Sequence, residues 1–375
     1  MIIYIGILFW FICVHYMYIN KQEKVLDTAN NTIINIVCKS QVFITFGILA
    51  IVVGLRSAGA DTEAYIINFN QLSQGWINLI TPKNYIDETE WLFTALGILC
   101  KTINKNYHLY LLVIAAITSF LLGITIRRVS SYYTESIILF MLMGYFLWMI
   151  NGMRQFLAAS ILFYASKYIE NKDFKRYILL LLCAFFIHNS AMIMFPIYFI
   201  VQGEAWNKRT ILFIILGIVS VIFLNTFLNV IEYVTNVTMY EGYLERFQEY
   251  GGGSNFLRTL IYAVTPTLAF IKRKELSKAT NSHLNIAINM SIICTVISLI
   301  ANFTSGILIG RLPVYFSLYN LSLIPWILHN TNFRKNHSLS YVMYICYSIL
   351  FLYLSDFYYY SDILFGGRVI PRLWR

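Results

Sequence analysis

At 375 residues the chain is long enough for two or three soluble domains, yet 58% of it is apolar, 17% aromatic and only 12% charged. That is about half the charged share of a soluble domain, too little to keep such a surface in water. The 28 Lys plus Arg are spread along the chain, so the +10 balance is no nucleic-acid footprint. The composition is that of an all-α polytopic integral membrane protein whose surroundings are the lipid bilayer.

A membrane-crossing helix needs about 20 predominantly apolar residues. Apolar runs occur in order at 1–20, 41–56, 107–127, 132–150, 152–169, 210–229, 256–271, 285–309, 311–329 and 339–356. The first begins Met1-Ile2-Ile3 with no basic n-region or cleavage site, so it is predicted to be a retained span. Segment 90–104 is short and starts at Glu90, the pattern of a re-entrant or interfacial helix. The 25 apolar residues of 177–201 are interrupted by His188-Asn189-Ser190, which predicts two short helices meeting there, with one long tilted helix as the alternative. The total is 11–12 crossings in a single integral domain, residues 1–375.

Basic residues gather at Lys21, Lys24 and Lys39, Arg127-Arg128, Lys167 to Arg176, Lys208-Arg209, Lys272 to Lys278, and Arg334-Lys335. These six loops hold 17 of the 28 Lys and Arg, and the positive-inside rule makes them cytoplasmic. Two long loops, 57–89 and 230–255, carry Asp61, Glu63, Asp87, Glu88, Glu232, Glu241, Glu245 and Glu249 and are predicted to face outward. The charge pattern closes if 177–201 crosses twice and 90–104 does not cross. Arg368, Arg372 and Arg375 then fall outside, against the rule. Cys13, Cys38, Cys100, Cys183, Cys294 and Cys346 form no CxxC pair, which argues against a disulfide scaffold or a zinc site. Gly251-Gly252-Gly253-Ser254 is a hinge, since neither the preceding strand nor the Lys-Ser/Thr pair of a phosphate-binding loop is there. No ATPase or dinucleotide fingerprint occurs, and the reading calls for no cofactor.

Ionisable groups at membrane helices are costly, so each is a functional candidate. Arg56 ends the second span in RSAGADTEAY (56–65). A snorkelling arginine followed by Asp61 as helix N-cap is the structural alternative. In NGMRQFLAASI (151–161), Asn151, Arg154, Gln155 and Ala158 share a helix face. A polar stripe flanked by small residues faces protein or a cavity rather than lipid, as a functional surface or an interhelical hydrogen-bond cluster. His188 in FFIHNSAMIMFPI (185–197) is either a packed core histidine or the lining of a cavity at a broken helix end. Arg311 in GRLPVYFSLY (310–319) is either an interfacial anchor or a fourth member of an outer polar cavity. Arginine suits phosphate because its rigid fork engages two oxygens and stays charged. Histidine exchanges its proton near neutral pH and suits the activation of a hydroxyl.

The strings GLRSAGADTEAY (54–65), GMRQFLAASI (152–161), FIHNSAMIMFPI (186–197) and, more loosely, RLPVYF (311–316) resemble the EpsG family, a branch of the Wzy-type polysaccharide polymerases. The resemblance implies an O-antigen-, capsule- or exopolysaccharide-type polymerase of the bacterial cytoplasmic (inner) membrane. Such an enzyme joins undecaprenyl-pyrophosphate-linked oligosaccharides, as donor and acceptor, on the outer face, with a chain-length regulator protein as an optional partner. The family's Arg-x-x-Gly-x-Asp string falls on Arg56, Gly59 and Asp61, its Arg-Gln pair on Arg154 and Gln155, and its His on His188. The implied catalytic set is His188, Arg154 and Arg56, with Asp61, Gln155, Asn151 and Arg311 binding substrate and no metal. Three rivals remain open from the residues: a metal-dependent lipid-phosphosugar glycosyltransferase using Asp61 and Glu63, an O-acyltransferase using His188, and a lipid-linked oligosaccharide flippase.

Overall fold

The computed structural model describes residues 5–14, 16–17, 31–57, 59, 61–79, 90–223, 254–279, 281–306, 308–331, 344 and 347, with the backbone alone for 31–39. All regular structure among them is helical. They divide into two compact units, one ending at Ile193 and one running from Met194 to Thr331, with Tyr344 and Tyr347 in the first.

The first unit holds α1 (Ile5–Val14), α2 (Asn31–Gly54), α3 (Thr62–Gln71), α4 (Trp91–Ile103), α5 (Tyr107–Val129), α6 (Tyr133–Leu142), α7 (Met153–Tyr164) and α8 (Phe174–Ile187). The second holds α9 (Met194–Ile200), α10 (Lys208–Ile222), α11 (Phe256–Ile271), α12 (Ser282–Asn302) and α13 (Asn320–Asn330). Among the described residues, α5 and α12 are long and apolar enough to cross a membrane. Their 23 and 21 residues rise roughly 34 and 32 Å, against a hydrocarbon core of about 30 Å.

Around an apolar core, both units expose large apolar side chains and bury small and hydroxyl-bearing ones. In α10, Leu212, Ile215, Leu216 and Ile222 are exposed while Thr210 and Gly217 are buried. In α2 and α5, Phe43, Ile51, Ile117 and Ile124 point out, whereas Gln41, Thr45, Thr118, Ser119 and Thr125 point in. Lipid is as apolar as leucine, so helices in it associate through small and hydrogen-bonding residues. Two of the buried hydroxyls are satisfied within their own helices: Thr45 Oγ1 donates to the Gln41 carbonyl and Thr125 Oγ1 to the Leu121 carbonyl, both at 2.7 Å. Helices α2 and α5 run antiparallel and close, with Gly123 against Val42 and Phe46. A Cβ there would come within 2.6 Å of the Phe46 ring. The chain is a membrane protein by this packing and by its apolar helices.

Helix boundaries depart from the apolar runs in informative places. The run 132–150 is one predicted span, but α6 stops at Leu142 because Gly144 takes φ +77°, a left-handed turn, before a single helical turn Tyr145–Trp148. The predicted loop 57–89 contains α3. The run 177–201 breaks where its polar triplet predicts: α8 ends at Ile187, His188 is extended (φ −156°, ψ 117°), and a 3-10 turn Asn189–Ile193 leads into α9. The run 339–356 (beyond Tyr344 and Tyr347), the loop 230–253 with the glycine hinge, residues 80–89 and the carboxyl-terminal arginines lie outside the described residues.

Candidate functional site

Two strings far apart in sequence form one joint in the first unit. Gly59 (φ +134°) packs so tightly on Ile150 that a Cβ would come within 2.6 Å of its Cγ2. Two residues on, the Asp61 carboxylate accepts the Gly152 N–H at 2.8 Å across 91 residues of sequence. Asp61 precedes α3 but makes no side-chain cap to it; its acceptor is spent on the neighbouring turn instead. Gly152 holds φ +79°, which presents its N–H to Asp61 and starts α7 in the correct direction. Arg56 fastens the joint: Nε donates to Thr62 Oγ1 at 2.9 Å, Nη1 to the Val53 carbonyl at 2.6 Å, and Nη2 to Met153 Sδ at 3.3 Å. The guanidinium thus ties the end of α2 to the starts of α3 and α7.

Arg154 follows at the start of α7, with its backbone N–H on the Tyr65 hydroxyl at 3.4 Å. Its side chain passes over the Phe93 ring, 5.7 Å from the centroid, and Nη1 reaches Glu90 Oε2 at 2.6 Å. Glu90 is the residue before α4 and does not cap its own helix. Its other oxygen, Oε1, meets His188 Nδ1 at 2.6 Å and accepts the Asn189 N–H at 3.1 Å. The helix break at His188 makes this geometry: an extended residue there turns both the imidazole and the following amide toward one oxygen. Gln155 Nε2 donates to Ser190 Oγ at 3.3 Å, which ties α7 to the same break.

The charge distribution is asymmetric. The Glu90 side chain is 6% exposed, but Arg154 is 40% and His188 26% exposed. A buried carboxylate thus anchors Arg154 and His188 at the edge of the unit, with Arg154 above a floor of rings packed mostly edge to face. Tyr65 and Phe93 lie 6.1 Å apart, Phe93 and Tyr110 5.8 Å, and Phe69 and Tyr110 5.2 Å. Such a floor lowers the local dielectric and strengthens every interaction of the charged groups above it. Arg154 also engages the Tyr65 hydroxyl with its side chain, yet both it and His188 keep exposed surface at which a ligand can be met.

Six of the sequence candidates therefore lie in the first unit. Arg56, Asp61, Arg154, Gln155 and His188 are linked as above, and Asn151 is buried in the turn ahead of Gly152. Arg311 belongs to the second unit, half-buried in the turn before Val314–Ser317, with its carbonyl accepting the Val314 N–H at 3.4 Å. Glu63 is exposed on the first turn of α3. Among the described residues no three His, Cys, Asp or Glu stand together where they could hold a metal ion. The residue that sequence reasoning missed is Glu90. A buried charge needs a partner, and an acid directly ahead of an apolar run, in a chain with four basic candidates at membrane helices, was the available signal.

No curated protein and no solved structure matches the chain. A family model, the EpsG family, matches residues 39–371, nearly the whole chain and all four strings above. The chain belongs to the EpsG family, whose members are Wzy-type polymerases.

Proposed function

We propose that this protein polymerises lipid-linked oligosaccharide repeat units on the outer face of the bacterial cytoplasmic membrane, taking undecaprenyl pyrophosphate as the leaving group. The observation that carries this reading is the pairing of Arg154 and His188 on the two oxygens of one carboxylate, each 2.6 Å away. A phosphate-binding fork and a proton acceptor then share one carboxylate.

In the reaction, a hydroxyl oxygen of the acceptor unit forms a bond to the anomeric carbon of the donor. The bond from that carbon to the pyrophosphate oxygen breaks, and undecaprenyl pyrophosphate departs with the electron pair. The hydroxyl proton passes to His188 Nε2 and then to solvent. Arg154 offers the exposed edge of its guanidinium to the pyrophosphate, whose charge rises as the bond breaks, so the contact is stronger in the transition state than in the ground state. The leaving group is stabilised by a fixed cation, so the scheme requires no metal. Arg56, with each nitrogen already on a protein acceptor, acts by holding the Gly59–Asp61 and Gly152 turns together, and contacts pyrophosphate only by exchanging those acceptors. Asn151, Gln155 and Asp61 shape the pocket.

Deletion of the gene, followed by a gel of surface polysaccharide, tests the reading. The expected result is loss of the polymer ladder with single repeat units accumulating on lipid; an intact ladder contradicts it. The outward orientation is tested by single cysteines at Ser73 and Lys278 in a background without native cysteines. An impermeant thiol reagent should label position 73 in spheroplasts and position 278 only after lysis, and the reverse pattern refutes the outer site.

A further inference from the structure

The acid at the centre of the cluster has no role in the scheme above. We propose that Glu90 is a positioning residue, its two carboxylate oxygens holding His188 and Arg154 in the orientations that glycosyl transfer requires. This rests on the polymerase reading with His188 as base.

The hydrogen-bond pattern fixes the tautomer. An ionised carboxylate only accepts, and Glu90 already accepts from Arg154 Nη1 and the Asn189 N–H. The 2.6 Å contact to His188 Nδ1 therefore requires a hydrogen on Nδ1. In a neutral imidazole the lone pair then resides on Nε2, the nitrogen that faces away from Glu90. Without the carboxylate, an imidazole 26% exposed would be free to rotate and to take either tautomer. The same acid stabilises the imidazolium that forms when the acceptor hydroxyl gives up its proton. On its other oxygen it pins one arm of the Arg154 fork, whose side chain stays 40% exposed.

Burial supports this assignment. Taking a carboxylate out of water costs several kcal/mol even after relaxation, and a neutral amide holds a turn together at much smaller cost. A side chain 6% exposed that keeps a full charge, and shares it between two groups open to ligand, is arranged for those groups rather than for the fold.

The test is a double-mutant cycle on the purified full chain, with a synthetic polyprenyl-pyrophosphate oligosaccharide as both substrates. The four proteins are wild type, Glu90→Gln, His188→Ala and the pair together. Glutamine keeps the size and one acceptor but carries no charge. Glu90→Gln is expected to lower kcat by about 10-fold to 100-fold, the size seen where a carboxylate orients a metal-bound imidazole. In the His188→Ala background the same change should alter kcat by less than about threefold, because there is no ring left to hold. The donor KM should rise in both backgrounds through Arg154. Glu90→Asp should recover part of kcat. A wild-type kcat in Glu90→Gln, or an equal loss in both backgrounds, overturns the proposal. Where Glu90→Gln does not accumulate, Glu90→Asp decides, and wild-type turnover in it is equally fatal. Wild-type turnover in His188→Ala instead removes the base itself, a failure of the underlying reading that this design shows separately.

Discussion

Each unit contains a polar residue buried among apolar helices, and the two behave differently. In the second unit Asn289 is fully buried and makes three hydrogen bonds, all to backbone. Its Oδ1 accepts the Trp206 N–H at 3.0 Å, and Nδ2 donates to the Val201 and Glu204 carbonyls at 3.1 Å each. These bonds hold the tight 201–207 connection, where Trp206 takes φ +60°. The amide is neutral, saturated and closed to ligand. In the first unit Glu90 is almost as deeply buried but charged, and its partners Arg154 and His188 are open on their far sides. A polar group that serves the fold ends its hydrogen bonds within the fold. A group that serves a reaction leaves valences pointing outward, and that contrast, more than burial, separates the two.

Four outcomes would sharpen or break this distinction. The largest effect is expected from Arg154→Lys. An ammonium can still pair with Glu90 but cannot present the planar fork to pyrophosphate, so turnover should fall about 10²–10³-fold, the size of a lost oxyanion contact. Membrane levels should stay normal on immunoblots, and a wild-type polysaccharide ladder would sink the phosphate role.

Gly152→Ala should come next. A left-handed alanine costs about 1–2 kcal/mol, and its Cβ would press on Trp148 at 3.1 Å. Relief requires the start of α7 to move, and a shift of about 1 Å at a reacting group can cost 10²-fold. We expect turnover down about 10-fold to 100-fold with a small loss of abundance; the opposite split, abundant loss with normal specific activity, would make the joint purely structural.

Asn289→Ala should invert that pattern. Unsatisfied buried groups cost about 1–3 kcal/mol each, so thermal stability in detergent should drop. Turnover per folded molecule should stay within about twofold of wild type, and a catalytic defect there would erase the contrast between the units. The smallest effect is expected from Lys101→Met. Lys101 Nζ donates to the carbonyls of Phe69, Asn70 and Leu72 and so closes the end of α3. Its half-buried position at a helix end limits the loss to about 1 kcal/mol, visible as a slightly lower melting temperature and nothing else.

Much of this arrangement was legible in the chain because membrane helices advertise their exceptions. His188-Asn189-Ser190 stands out in an apolar run, and a helix does break there. The stripe Asn151, Arg154, Gln155 and Ala158 reads as a face toward protein or a cavity rather than lipid; Asn151, Gln155 and Ala158 are buried and Arg154 is 40% exposed. Glu90 was not legible as a centre, since its partners lie 64 and 98 residues away and an acid ahead of an apolar run looks like an ordinary helix start. Nor was the engagement of Arg56: its three acceptors are a carbonyl, a hydroxyl and a thioether, none of which leaves a charge pattern. The turn at Gly144 was hidden because an αL glycine costs nothing in hydropathy. Family membership points to a polysaccharide polymerase, where the residues alone had left a metal-dependent glycosyltransferase, an O-acyltransferase and a flippase open.

The central claim is that His188 takes the acceptor proton while pyrophosphate leaves toward Arg154. It is tested most directly by turnover of purified His188→Ala on a synthetic polyprenyl-pyrophosphate oligosaccharide, counting polyprenyl pyrophosphate released per glycosidic bond formed. An imidazole base contributes about 10²–10⁴-fold, so the variant should bind donor normally, release one polyprenyl pyrophosphate per linkage, and turn over slower by that factor. Turnover within a few fold of wild type would contradict the account and leave the arginines to carry the chemistry without a base.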